Sequence, residues 1–361
     1  MVKHATIHDV AQLCNVSVAS VSRVLARADY PVSDALRTRV LEAAAQLGYI
    51  PNAASRALKA HALNELGVII PNITNPCYAQ LVKGIQDAAQ MRGYHVLLYN
   101  SYRNPGQEAD NIDMLLQKRV DGILIASISS DLSALRRAMD AGCPVITMEQ
   151  ELNLPCIHVG YDYVRGGYLA TEHLLLNGHR RIAFVGAPLD RPSRVQMLAG
   201  YRRCLREHGI AESPDYVLLS DSEQDAGDIY ELRNGSRAAD RLLAMENRPT
   251  ACVCLNDITA LGLMSALRKR GVKVPRDLSV VGFDNILYGE FSSPELTTVD
   301  QHAGEMGALA VRMLTEQIEK PDVVQYAVRL TPNLVERESV RRVDDEGGGR
   351  FPEESASRTL P

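Results

Sequence analysis

The sequence is poor in the marks that identify several broad protein classes. No apolar run in its 361 residues approaches the roughly 18 needed to span a bilayer, so no membrane span is expected. Met1–Thr6 lacks the apolar core of a signal peptide. The seven cysteines are scattered at positions 14, 77, 143, 156, 204, 252 and 254. Their odd number and the absence of a CxxC pair argue against a disulfide framework, and a reduced, cytoplasmic protein is expected. Cys252 and Cys254 share one strand face and read as core. GxGxxG, GxxxxGK[ST] and GxSxG are all missing, which removes motif support for nucleotide-cradling and serine-hydrolase chemistry. Among nine histidines, the pair at i,i+4 is His4 and His8, and His4 precedes the first capped helix. Neither a metal nor a cofactor is expected.

What is present is ordinary soluble composition: 46% hydrophobic and 23% charged residues. The length exceeds a single core, so two or three domains are expected. The formal net charge of −5 hides an asymmetry. Residues 1–62 carry seven Lys or Arg against four Asp or Glu, whereas the rest of the chain is acidic. A mildly basic head on an acidic body suits a protein that meets phosphate only through its head.

Residues 5–25 are the most informative stretch. Thr6 with Asp9 three residues later makes a capping-box-like start. Asn15-Val16 breaks the pattern, and Ser17 then caps a second helix with Val21, Val24 and Leu25 on one side. Two short helices around a tight turn are the layout of a helix-turn-helix, whose second helix enters the DNA major groove; the alternative is a generic αα-hairpin. After Pro31, Ser33 can cap a third helix with Leu36, Val40, Leu41, Ala44 and Leu47 on its inner face, closed by Gly48. Asn52 can cap a fourth, Ala53–Lys59, too short to stand alone in water.

From Leu66 the pattern alternates strands and helices. Strands are expected at Leu66–Pro71, His95–Asn100, Val120–Ala126, Pro144–Met148, Arg181–Gly186, Val217–Ser220, Ala251–Leu255 and Leu278–Phe283. Helical runs fall between most of them, including Tyr78–Arg92, Asn111–Lys118, Gly166–Asn177, Leu198–His208 and Arg237–Glu246. Such alternation implies parallel sheets with right-handed crossovers, and there are too many strands for one sheet. Two doubly wound α/β subdomains are expected, one from about 66–161 plus 294–322 and the other from about 162–290 plus 323–340. The last twenty-one residues, 341–361, read as a disordered tail.

The order and spacing of short motifs identify a resemblance. The head contains Thr6-Ile7-x-Asp9-Val10-Ala11, Val16-Ser17, Val21-Ser22-Arg23-Val24 and Gly48-Tyr49-x-Pro51-Asn52. The body contains Asn75-Pro76, Lys118-Arg119-Val120-Asp121-Gly122, Asp162 with Gly166-Gly167, Gly178-His179-x-x-Ile182-Ala183, Pro249-Thr250-Ala251, Asn256-Asp257-x-x-Ala260-Leu261-Gly262 and Val281-Gly282-Phe283-Asp284. From Ala5 to about Ser339 the chain resembles the lactose-repressor (LacI) family of transcription regulators. The resemblance implies an all-α helix-turn-helix headpiece at 1–50 and a hinge helix and linker at 51–65. An α/β body at 66–340, like a type I periplasmic binding protein, would follow, with an effector between its subdomains.

Residue roles follow from the same resemblance. Val18, Ala19, Ser22 and Arg23 would start the recognition helix, with Arg23 suited to a bidentate guanine contact. Thr6 and Ser17 read as phosphate anchors or as caps. In the hinge, Leu58 matches an apolar minor-groove wedge, with Arg56 and Lys59 placed for nearby phosphate or groove contacts and the capping Asn52 also among the DNA-binding residues. The stretch Arg27–Pro31 is one residue longer than in many relatives. The cleft set is Asn75, Cys77, Tyr78, Glu149, Arg191, Ser193, Asn256 and Asp284. Cys77 reads equally as packing, and Asp284 also as a strand-end cap. The arginine usual in the helix after the proline-leucine turn is Met197 here, with Arg194 one turn earlier as a substitute. The expected partners are double-stranded operator DNA, a second copy of the chain and a small effector. That effector is a monosaccharide or polyol, with a nucleoside or purine as runner-up. A DNA-free sugar-binding protein and an α/β enzyme are the competing classes. The head opposes the former, and the recognition-type chemistry of the cleft residues opposes the latter.

Overall fold

The computed structural model describes residues 5–25, 32–49, 64–220, 229–321 and 327–343. The chain divides into two compact units, Met1–Asn64 and Glu65–Pro361.

The first unit holds α1 (Ile7–Leu13), α2 (Val18–Leu25) and α3 (Asp34–Gln46). Thr6 forms a full capping box: its hydroxyl accepts from Asp9 N, and its own N–H donates to the Asp9 carboxylate at 2.7 Å. Asn15, at φ +49°, turns the chain, and Ser17 Oγ accepts from Ser20 N at 3.1 Å. Val10, Ala11, Cys14, Val21, Val24, Val40, Ala43 and Ala44 form the buried core of this unit. Leu41, expected on the inner face of α3, is 50% exposed. The packed stripe runs through Val40, Ala43 and Ala44, and the next residue along lies about 100° around the helix. Ser33 stands at the N-cap of α3 without a side-chain capping bond. The hinge helix, with Asn52, Arg56, Leu58 and Lys59, lies outside the described residues, as does Arg27–Pro31.

The second unit opens with β1 (Glu65–Ile70), α4 (Pro76–Met91), β2 (His95–Asn100), α5 (Pro105–Lys118), β3 (Gly122–Ile125), α6 (Ser133–Asp140), β4 (Val145–Met148) and β5 (Ile157–Tyr161). It continues with α7 (Tyr163–Leu176), β6 (Ile182–Val185), α8 (Pro192–Glu207), β7 (Val217–Leu218), α9 (Tyr230–Ala244), β8 (Ala251–Cys254), α10 (Asp257–Lys269) and β9 (Ser279–Phe283). The last elements are α11 (Leu287–Glu290), β10 (Thr297–Asp300), α12 (Ala303–Glu319), β11 (Val328–Leu330) and β12 (Asn333–Val335).

Two six-stranded sheets result, ordered β11-β5-β4-β3-β1-β2 and β12-β10-β9-β8-β6-β7. All neighbours are parallel except β12, which runs antiparallel to β10. In each sheet the second strand in sequence lies outside the first and the third lies on its other side. This places a topological switch point between β1 and β3, and another between β6 and β8.

Three expectations are corrected. Thr297–Asp300 belongs to the second sheet and Val328–Leu330 to the first, opposite to the division at 294–322 and 323–340, whereas α12 packs on the first sheet and Asn333–Val335 joins the second as that division has it. The chain therefore crosses between subdomains three times, at 161–163, 300–303 and 330–333, because each sheet is completed by a late strand. Several helices start up to seven residues earlier than their apolar periodicity suggested, at Pro105, Tyr163, Pro192 and Tyr230. Proline is tolerated at a first helical position, where its missing N–H has no intrahelical partner. Finally, Arg341–Val343 is packed rather than part of a disordered tail. Val343 N donates to Asn177 O at 2.8 Å and Arg341 N to Ser279 Oγ at 3.1 Å. Residues 344–361 lie outside the described set. No helix among the described residues is long and apolar enough to cross a membrane.

Candidate functional site

Two surfaces concentrate the candidate residues. On the first unit, Val21 and Val24 of α2 are buried, which turns Ala19 and Arg23 outwards and leaves Val18 and Ser22 half-buried. These four positions form one strip at i, i+1, i+4 and i+5. Thr6 and Ser17 are exposed and serve as helix caps.

The second surface is a cleft at the carboxyl ends of both sheets, enclosing about 650 Å³ with its open mouth included. Asn75, Cys77, Tyr78, Glu149, Arg191, Ser193, Arg194, Asn256 and Asp284 all line it. Strand topology explains the convergence: Glu149 follows β4, Arg191 follows β6, Asn256 follows β8 and Asp284 follows β9.

Each side chain has a definite setting. Asn75 and Asn256 are N-caps, accepting from Cys77 N at 3.0 Å and from Thr259 N at 2.8 Å. The Tyr78 hydroxyl donates to Glu149 Oε2 at 2.9 Å. Burial pushes the Glu149 carboxyl up to about 7, against the opposing pull of the Tyr78 hydrogen bond and the Arg191 charge. Asp284 sits at φ +114° and accepts from Gln301 Nε2 at 2.6 Å. Burial, reinforced by the neighbouring Asp257 and Glu149 charges, pushes its carboxyl well above the usual range. The Cys77 thiol, also raised by burial, lies against Asp284. Arg194 is buried and turned back on its own loop, donating to Pro188 O at 3.0 Å and to Asp190 Oδ1 at 2.8 Å. It braces the turn before α8 while also lining the cleft.

Backbone contact fixes the rest of this wall. A Cβ on Gly167 would lie 2.1 Å from Met197 O, and one on Gly200 would lie 2.0 Å from Val164 O. The two glycines let α7 and α8 touch along their backbones, which seats Met197 and Arg191 at the cleft.

The lining also includes Pro71, Arg103, Gln150, Tyr163, Met197, Glu231, Leu255 and Gln301. Gln150 Nε2 donates to Ser193 Oγ at 2.7 Å, and Ser193 N donates to Gln150 Oε1 at 3.1 Å. Arg103 pairs with Glu231. The Gln301 Oε1 is buried with no hydrogen-bond partner. Arg103 and Gln150 were discoverable, because they lie just past strands visible in the sequence. Gln301 needed β10, and Glu231 needed the true start of α9. Among the described residues no group of His, Cys, Asp and Glu is arranged to hold a metal.

Comparison with known proteins gives these two surfaces a family. The profile of bacterial regulatory proteins of the lacI family matches residues 6–52, and that of the periplasmic binding protein-like domain matches residues 171–340. The HTH-type transcriptional repressor PurR of Vibrio atlanticus (strain LGP32) is 35% identical over 344 residues, spanning 94% of this chain and 100% of that protein. The lac repressor dimer bound to operator and the anti-inducer ONPF superposes with a TM-score of 0.81 at 28% identity, covering 94% of this chain and 100% of that one. The transcriptional regulator CelR in complex with cellobiose gives a TM-score of 0.69 at 29% identity, with 93% and 99% covered. The chain belongs to the LacI family and is a DNA-binding transcriptional repressor, not an enzyme, with a helix-turn-helix head and a periplasmic-binding-protein-like effector body.

Proposed function

We propose that the protein binds a palindromic operator as a homodimer and that a purine base or nucleoside in the cleft controls its affinity for DNA. One small head reads only a half-site, so a two-fold pair doubles the base contacts and sets the operator symmetry. Arg23 supplies the bidentate guanine contact, Val18 and Ala19 meet base methyl groups, and Ser22 completes the strip. Thr6 and Ser17 lie beside the phosphates in addition to capping. In the hinge, Leu58 wedges into the minor groove, flanked by Asn52, Arg56 and Lys59. Effector binding shifts one subdomain against the other, and the hinge carries that change to the heads. This chemistry operates in the cytoplasm, where the operator is.

The observation that carries the effector reading is the mixed lining of the cleft. Tyr78, Tyr163, Met197, Leu255 and Pro71 offer apolar or aromatic faces. Arg191 as donor, and Glu149, Asp284 and Gln301 Oε1 as acceptors, supply polar groups among them. A flat heterocycle uses both: its faces pack against the apolar groups while its edge is read by hydrogen bonds. Met197 supports this over a sugar, whose hydroxyls call for a donor there. The likeness to PurR over 94% of the chain points the same way. The second reading, a monosaccharide or polyol, is favoured by the CelR–cellobiose complex of similar fold.

Calorimetric titration of the full-length protein with guanine, hypoxanthine, adenine, ribose and galactose decides between them. Saturable binding of a purine and none of a sugar supports the first reading, and the converse overturns it. Operator selection at low and moderate salt tests the DNA half. A flat salt response or no sequence preference would refute it, since phosphate contacts release counterions.

A further inference from the structure

The cleft is spanned by groups that bind each other. Arg103 comes from the first subdomain, in the turn between β2 and α5, and Glu231 comes from α9 of the second. Their side chains form an ion pair at only 13% and 10% exposure. The Arg103 guanidinium also lies over the Tyr230 ring, 5.8 Å from its centroid. A charge-assisted contact shielded on both sides is far less screened than a surface pair.

Arg103 is held in place by its backbone. Tyr102 and Arg103 both occupy the left-handed region, at φ +53° and +56°. Arg103 N donates to Pro71 O at 2.9 Å, Asn104 N donates to Ser101 O at 2.8 Å, and Asn104 then caps α5. Two successive non-glycine residues in this conformation persist only where the surroundings impose it. The turn thereby aims Arg103 across to the other subdomain. A second bridge accompanies it, the reciprocal pair of hydrogen bonds between Gln150 after β4 and Ser193 at the start of α8.

We propose that Arg103 and Glu231 form a latch that holds the two subdomains closed over the cleft, with Gln150–Ser193 as its subsidiary catch. Arg103 is then a positioning residue that sets how long a bound molecule stays. The latch itself depends only on the two subdomains facing each other across the cleft. Its effect on residence time rests on the effector reading above.

The test is hydrogen–deuterium exchange by mass spectrometry on the full-length protein with no small molecule added. Arg103→Gln and Glu231→Gln are each expected to raise exchange at least tenfold in the peptides around Gln150 and Ser193, with sheet-core peptides unchanged. The swapped pair Arg103→Glu with Glu231→Arg is expected to restore protection to within threefold. Unchanged exchange around Gln150 and Ser193 in both single variants overturns the latch. So does an increase confined to α9, which shows Glu231 stabilising its own helix only. If one variant fails to fold, the other carries the same comparison. Dissociation of guanine and ribose is then followed in the wild type and Arg103→Gln, with at least fivefold faster release expected for whichever binds. Binding of neither probe counts against the effector reading and leaves the exchange result standing alone.

Discussion

Replacing Glu149 by Gln is expected to stabilise the protein and weaken its ligand binding together. The carboxyl titrates at about 7 in the folded chain against an ordinary value of 4.5, with burial as the dominant cause. A folded value above the unfolded one means that the protonated form is favoured by folding. The associated stability is complete below about pH 4.5 and is lost as pH rises through 7. At about 1.4 kcal/mol per tenfold, the full difference is at most about 3 kcal/mol. Because Glu149 is half-buried, solvent screening reduces it to about 1–3 kcal/mol. A Gln at this position keeps an oxygen to accept from Tyr78 and carries no charge. Urea unfolding at pH 5, 6, 7 and 8 is the assay. Glu149→Gln is expected to gain on the wild type with rising pH, reaching that 1–3 kcal/mol at pH 8. A difference independent of pH, or a less stable variant at pH 8, would refute the account of a desolvated carboxylate. The functional counterpart is a loss of effector affinity that is largest at high pH, where the wild-type carboxylate is ionised.

Other substitutions probe the remaining parts. Asp284→Ala is expected to lower effector affinity by about ten- to a hundredfold, the cost of leaving a buried hydrogen-bond partner unsatisfied, and to leave operator binding without effector intact; unchanged titration calorimetry removes Asp284 from the site. Arg23→Ala should cost about 1–3 kcal/mol of discrimination at one base pair, measured by competition between operator variants; equal losses for every sequence mean a phosphate contact instead. Burial lowers the His179 imidazole to about 4, so its stabilisation is complete above about pH 6.5 and is lost as pH falls through 4. The wild type should thus lose up to about 3 kcal/mol over that window through this group, and His179→Gln should lose correspondingly less; parallel pH profiles of the two proteins would contradict this.

Much of the architecture was legible in the sequence because the information was local. The capping box at Thr6 and Asp9 and the cap at Ser17 are short-range hydrogen-bond patterns, and they form as expected. Strands such as His95–Asn100 are continuous apolar runs bounded by turn residues. What stayed hidden was non-local. Ile157–Tyr161 is a fully buried strand whose His158 and Gly160 interrupt the apolar signal. Its place between β4 and β11 is set by pairing with Val328–Leu330, far away in sequence. Thr297–Asp300 reads as a polar stretch, and Asp257 accepting from Thr298 Oγ1 at 2.5 Å makes that polarity compatible with burial.

The cleft shows the same division. Family motifs place Asn75, Glu149, Arg191, Asn256 and Asp284 on loops after strands, and the parallel topology brings those loops together. Sequence by itself therefore determined the two-part organisation and the helix-turn-helix, which are written in short patterns of capping, periodicity and turn chemistry, and through its resemblance to the family most of the cleft lining. Only the tertiary structure decided which late strand completes which sheet and that Arg103 meets Glu231. Those outcomes depend on residues far apart in the chain, 128 positions for the Arg103–Glu231 pair, finding one another, and only packing settles that.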